Sequence, residues 1–219
     1  FEHAGAAGGW MDYLGYPFCR GRLFNTVEKD EGQYDQKQEI FWASGAAFVM
    51  RGALFHQLGG FDGDYFAHLE EIDLCWRLKR AGFKILCVPA STVYHLGGGT
   101  LDYESPHKTY LNFRNSLFTL IKNESRRKLL WLIPTRLVMD GLAAALFLLQ
   151  GKTKHIRAIL RAHWGFYKGF RKFWAKRRHY EDLIQKVSIS PKANRKGIYP
   201  RSIVWQYYVM GRKQFKNLK

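Results

Sequence analysis

The sequence predicts an α/β chain with a basic, helical extension, and three observations carry that expectation. Short apolar runs bounded by Gly and Pro alternate with amphipathic stretches through residues 1–122. A long apolar run and then a long basic amphipathic run follow. The charge is equally uneven: residues 1–150 hold 16 Lys and Arg against 16 Asp and Glu, whereas residues 151–219 hold 19 against 2, so all of the net +17 lies in the last third. We therefore expect one α/β unit over 1–122. Residues 123–219 should form an extension, first hydrophobic and then basic, that meets a membrane surface.

The elements follow in order. Residues 1–38, rich in Gly, aromatics and charge, show no long periodic segment, and "GYPFCRGR" and "EKDEGQYD" within them read as loop. "IFWASGAAFVMR", 40–51, is an apolar run with small residues at its middle, the pattern of a buried strand or strand-to-turn. "GALFHQLGGFD" predicts a short helix stopped by Gly59-Gly60. In "EEIDLCWRLKRAG" the residues Ile72, Cys75, Trp76 and Lys79 fall on one helical stripe, with Gly82 as the C′ residue. "FKILCVP" predicts a strand ended by Pro89, and "STVYHLGGGT" a second strand closed by His95 before three glycines. Ser105 and Pro106 are the N-cap and N1 of a helix reaching Lys122.

Residues 129–149 are long enough to span a bilayer, at about 20 residues. Pro134, Arg136, Asp140 and Gly141 interrupt them, and each central charge costs roughly 2.5–3.5 kcal/mol on insertion, so a helix half-sunk in the interface or docked on the domain is favoured. In the basic run that follows, Ile156, Ile159, Leu160, His163, Tyr167, Phe170 and Trp174 form a stripe among cations, as in an interfacial amphipathic helix.

A chain of 219 residues that is 47% hydrophobic can bury a sizeable core, which excludes disorder throughout. Cys19, Cys75 and Cys87 are odd in number and lack zinc or redox spacing, which fits a reducing compartment. The chain opens at Phe1 without Met or a secretory signal, so we expect a piece of a longer protein.

Glu70, Glu71 and Asp73 crowd the start of the second helix. Acids there complement the orphan N–H groups and the positive end of the helix dipole, an ordinary structural use. The other use is catalytic: a carboxylate at the rim of a cleft can take a proton from a substrate hydroxyl.

The ordered set "WASGAAFVMR", "GGFDGDYFAHLEEIDLCWRLKRAG" and "ILCVPASTVYHLGGGT" resembles the family-2 inverting glycosyltransferases of the GT-A fold, in particular the bacterial rhamnosyltransferase-like group. The resemblance covers about Phe1 to Lys122 and implies the acceptor-side half of such a domain. It implies Glu71 as the base. This family more often has Glu-Asp here, so the longer Glu71 leaves Glu70 and Asp73 as rivals. It implies His95 as a ligand of Mg²⁺ or Mn²⁺, completed by residues upstream of Phe1, and Trp42, Ser44 and Gly45 as lining for the acceptor. Gly97, Gly98 and Gly99 would let backbone approach a diphosphate or let a loop close. Asp62 and Asp64 spell Asp-x-Asp but read as loop and capping acids, because the family's metal-binding pair lies further upstream.

The chemistry asks for these types. Attack by a sugar hydroxyl on an anomeric carbon needs a base on one face, and neutralisation of the departing nucleoside diphosphate on the other. The implied partners are a nucleotide-sugar donor, a saccharide or lipid-linked acceptor and an anionic membrane surface, at the cytoplasmic face of the cell membrane. Without a donor-binding half the chain alone should not turn over. "KGFRKFWAKRR" raises nucleic-acid binding as an alternative, but no nucleic-acid motif accompanies it; a non-catalytic scaffold is the other.

Overall fold

The computed structural model describes residues 7–93 and 105–218. Helices and a mixed sheet make it an α/β chain, as the sequence predicts. It divides into two compact units that interleave along the sequence, rather than at 122/123: one takes the described parts of 1–58, 74–94 and 184–219, the other those of 59–73 and 95–183.

The first unit is built on a five-stranded sheet. β1 (Gly9–Asp12), β2 (Pro17–Cys19), β3 (Arg22–Leu23) and β4 (Thr26–Val27) pair antiparallel in sequence order. The stretch 15–22, expected to be loop, therefore carries β2 and the start of β3, whereas 28–35, also expected to be loop, lies in none of these strands. Strands of two to four residues are too short to show period-2 alternation. The Asp12 carboxylate fixes the first turn by accepting from Leu14 N at 2.9 Å and Tyr16 N at 2.8 Å.

β5 (Gln38–Ile40) pairs antiparallel with β6 (Ile85–Cys87), Glu39 opposite Leu86. Of the strand or strand-to-turn expected over 40–51, the second is what forms: the strand ends at Ile40, save for one bridge from Trp42 to Gly9. Ala43, Ser44, Gly45, Ala46 and Ala47 offer too little side chain to pack a sheet face, and the segment turns instead.

α1 (Gly52–Gln57) stops at Gly59 and Gly60, both at positive φ, as expected. α2 (Glu70–Arg80) begins in the second unit and continues in the first, where Leu74, Leu78 and Ala81 join Leu58 in a core cluster. Buried Lys79 on the predicted stripe pairs with Glu39 at 2.9 Å. Gly82 ends the helix at φ +90°, and a Cβ there would fall 2.8 Å from that of Ser190.

The C-terminal segment completes this unit. β7 (Ile198–Tyr199) adds to β1 in parallel, and α6 (Ile203–Tyr208) follows with its Ile203 N–H donating to Asp12 Oδ2 at 2.9 Å. Tyr199, Ile203, Tyr207 and Leu218 bury against Phe18 and Leu23. Gly197 lies at φ +88°, where any Cβ would fall 2.4 Å from the Phe41 nitrogen. Residues expected to belong to a membrane-associated extension are thus four of the six buried residues of this cluster.

The second unit is helical: α3 (Pro106–Asn123), α4 (Arg126–Leu149) and α5 (Thr153–Val187), the last ending in the first unit. Ser105 caps α3 by accepting from His107 N, and Pro106 sits at its first turn, as predicted. α4 and α5 form an antiparallel hairpin, with Asp140 against His163 and Phe147 stacked on His155. Phe118 of α3 stacks on Phe173 of α5 at 3.6 Å between centroids. The stripe foreseen on α5 is divided by this packing. Ile159 turns inward with Ala158, Ala162, Phe166 and Phe173, whereas Leu160, Tyr167, Phe170 and Trp174 stay exposed.

Candidate functional site

The acids at the start of α2 sit behind a strained approach. Asp62 caps a 3-10 turn at Gly63–Tyr65, its carboxylate accepting from Asp64 N at 3.1 Å, which is the capping role read from the sequence. Phe66, His68 and Leu69 then all take left-handed φ of 67–70°, a region that costs a non-Gly residue about 1–3 kcal/mol each.

α3 supplies the clamp that holds them. The buried Asn115 side-chain amide donates to three carbonyls, Tyr65 O at 3.1 Å and Ala67 O and His68 O at 2.9 Å. Arg114 adds a bond to Tyr65 O at 3.0 Å. Such over-determination of an improbable backbone gathers at functional sites. Sequence reasoning missed Asn115 and Arg114, since on a helix pattern they are only polar residues in "LNFRNSLF".

The three acids then part company. Asp73 is fully buried and committed: Lys122 Nζ donates to it at 2.8 Å, Asn123 Nδ2 at 2.8 Å and the Tyr65 hydroxyl at 3.3 Å. Lys122 also binds Asp62 at 2.8 Å, and Lys176 of α5 binds Asp62 and Asp64. Burial alone would raise the Asp62 carboxyl, but Lys122 and Lys176 bring it down to about 2. Asp73 therefore ties α2 to α3, and its place among the rival bases is a structural one.

Glu70 and Glu71 differ from it. Each has a buried Oε2 with no hydrogen-bond partner among the described residues. Burial, reinforced by the neighbouring Glu70 carboxylate, raises the Glu71 carboxyl to about 7, while backbone N–H groups of the helix start pull weakly the other way. A carboxyl at about 7 is half-ionised at neutral pH, the condition under which a base both holds and releases a proton. The pKa of His68, two residues before the pair, is lowered by burial and then by the positive charge of Lys108 and the neighbouring His107 ring, and its Nε2 has no hydrogen-bond partner among the described residues.

Trp42, Ser44 and Gly45 lie in the first unit, whereas Glu70 and Glu71 lie in the second. The Trp42 indole N–H donates to Trp10 O at 2.8 Å, and its ring covers Gly9. Ser44 Oγ accepts from Ala46 N at 3.3 Å, and Gly45 is exposed. His95 and Gly97, Gly98 and Gly99 lie outside the described residues, as does the end of the strand expected at 91–95, of which residues 91–93 carry no strand. Among the described residues no three His, Cys, Asp or Glu side chains come together to hold a metal ion. The divalent site that the resemblance implies, on His95 and residues upstream of Phe1, lies outside the described residues, and no chemical step is derived through it. No disulfide joins Cys19, Cys75 or Cys87.

Glu70 and Glu71 thus stand side by side at the start of α2, and the proteins that this chain resembles are named as sugar transferases. It is 35% identical over 88 residues to the N-acetylglucosaminyl-diphospho-decaprenol L-rhamnosyltransferase of Mycobacterium tuberculosis, a match covering 40% of the chain and 28% of that protein. It is 41% identical over 56 residues to rhamnosyltransferase WbbL of Escherichia coli, covering 26% and 21%. It is 28% identical over 103 residues to a low-salt glycan biosynthesis hexosyltransferase of Haloferax volcanii, covering 45% and 34%. These matches bear out the resemblance to rhamnosyltransferase-like glycosyltransferases read from the sequence. The chain spans about a fifth to a third of the length of these relatives. No family profile and no solved structure matches it.

Proposed function

We propose that this chain is the acceptor-side part of an inverting glycosyltransferase of GT-A type, with Glu71 as the base that deprotonates the attacking sugar hydroxyl. The observation that carries it is the Glu71 carboxyl, raised to about 7 by burial and by Glu70 and left with an open oxygen behind a backbone clamped by Asn115. Glu71 takes the proton as the hydroxyl oxygen bonds to the anomeric carbon, and the nucleoside diphosphate leaves from the opposite face with inversion. Glu70 keeps the carboxyl basic enough to accept that proton at neutral pH. The acceptor class is a lipid-linked saccharide, supported by the mycobacterial relative, whose name specifies N-acetylglucosaminyl-diphospho-decaprenol.

The test uses the natural gene product that carries this sequence, with nucleotide-sugar donors and polyprenyl-diphosphate-linked acceptors. Glu71→Gln lowers transfer by about 10²–10⁴-fold with donor affinity unchanged. The wild-type rate rises with pH through about 7, and in Glu70→Gln that rise moves to lower pH because a raising charge has gone. Transfer by Glu71→Gln above a tenth of wild type removes Glu71 from the role.

A further inference from the structure

α4 is built inside-out. Between Leu129 and Leu149 its only ionisable residues are Arg136 and Asp140, and both are buried. Arg136 Nη2 donates to Ser116 Oγ of α3 at 2.9 Å, and Asp140 pairs with His163 of α5 at 3.0 Å. The opposite side of the helix is apolar and bare: Leu130 is 81% exposed, Val138 66% and Leu149 84%, with Trp131 and Leu142 also exposed. A helix facing water puts its charge outward and its apolar stripe inward. A contiguous apolar face of this kind marks an interaction surface.

α5 continues that face and supplies its charge. Leu160, Tyr167, Phe170 and Trp174 recur at helical spacing on one side, and two contacts fix that side next to α4: the His163–Asp140 pair and the Arg126 guanidinium over the Trp174 ring at 5.7 Å. α5 carries ten Lys and Arg against two acids. Arg157, Lys168 and Arg171 are exposed beside the stripe.

We propose that the outer faces of α4 and α5 together form a docking surface for an anionic phospholipid bilayer, with α4 lying in the plane of the interface. The chemistry of each component fits. Leu and Val enter the acyl boundary, Trp and Tyr sit at headgroup depth, and the guanidinium and ammonium groups meet lipid phosphates. A nucleic acid would use the cations and leave the α4 face in water. A second copy would bring the same excess of positive charge against itself. α4 is also long and apolar enough to cross a membrane. Crossing would strip Arg136 and Asp140 of their partners and set both in hydrocarbon, whereas lying flat keeps both pairs. This inference does not depend on the proposed transferase chemistry.

The 219-residue chain is mixed with vesicles of pure phosphatidylcholine and with vesicles containing phosphatidylglycerol, the latter also with lipids brominated at shallow or deep acyl positions. Binding to the anionic vesicles only, weakened by salt, with tryptophan quenched by shallow bromine, is the expected result. Two variant sets, checked for folding by circular dichroism, alter exposed positions alone. Arg157→Gln/Lys168→Gln/Arg171→Gln weakens partitioning on the order of 100-fold, each basic residue contributing roughly fivefold near an anionic leaflet. Val138→Glu/Leu142→Glu abolishes the quenching. Equal binding to neutral vesicles with deep quenching would overturn the proposal in favour of a span. Salt-sensitive binding to DNA without vesicle binding, or a concentration-dependent dimer without vesicle binding, would overturn it as well.

Discussion

Replacing Glu71 by Gln should make this protein more stable, and only above a definite pH. The Glu71 carboxyl is held at about 7 rather than its ordinary 4.5, first by burial and then by the Glu70 charge. Between those two values the folded chain binds more protons at this site than the unfolded chain does. Stability therefore falls as pH rises through that window. Above pH 7 the ionised, buried Glu71 costs about 3 kcal/mol relative to the unfolded state, at about 1.36 kcal/mol per pH unit. Gln has nearly the same shape and no charge to bury. At pH 4 wild type and Glu71→Gln should unfold at the same urea concentration. At pH 8 the variant should be more stable by about 3 kcal/mol, or about 6–12 °C in melting temperature for a chain of this size. Urea denaturation at the two pH values, followed by tryptophan fluorescence and far-ultraviolet circular dichroism, reads the difference directly. Equal stabilities at pH 8, or the same loss at both pH values, would refute the reasoning, because the carboxyl would then titrate as an ordinary surface acid. Stabilisation accompanied by loss of transfer is what a residue kept for chemistry at the expense of the fold produces.

Asp62 works in the opposite sense. Held at about 2 against an ordinary 3.8, it contributes about 2 kcal/mol above pH 4 that is lost as pH falls towards 2. Asp62→Asn should therefore be destabilised at pH 7 and match wild type at pH 2 in the same urea assay; a loss independent of pH would assign the effect to packing. Asn115→Ala frees three carbonyls of the strained approach and should cost about 1–3 kcal/mol. Hydrogen exchange at residues 66–72 should accelerate more than in α5, and uniform acceleration would show that Asn115 serves the fold as a whole rather than this loop.

Local rules made α1, α2 and α3 legible, since each carries its stop or start in a few neighbouring residues: Gly59-Gly60, Gly82, and Ser105-Pro106. The pairing of acids at the start of α2 was legible for the same reason, and so was the capping use of Asp62. The clamp on the site was not. Asn115 reaches carbonyls 47 to 50 residues away in sequence, and no periodicity records such a contact.

By itself the sequence determined the α/β class, the likeness to rhamnosyltransferase-like proteins, the separation of charge and most helix ends, because these depend on residue type and on spacings within one or two turns. Only tertiary structure decided what distant segments share. It brought β7 to β1, so that the tail became core instead of extension. It sent Asp73 to Lys122 and left Glu71 open, a division among three adjacent acids that their order in the chain does not contain. It also turned Arg136 and Asp140 inward and Val138 and Leu142 outward, because a buried charge needs its partner from another helix, and that partner sits 20 or more residues away.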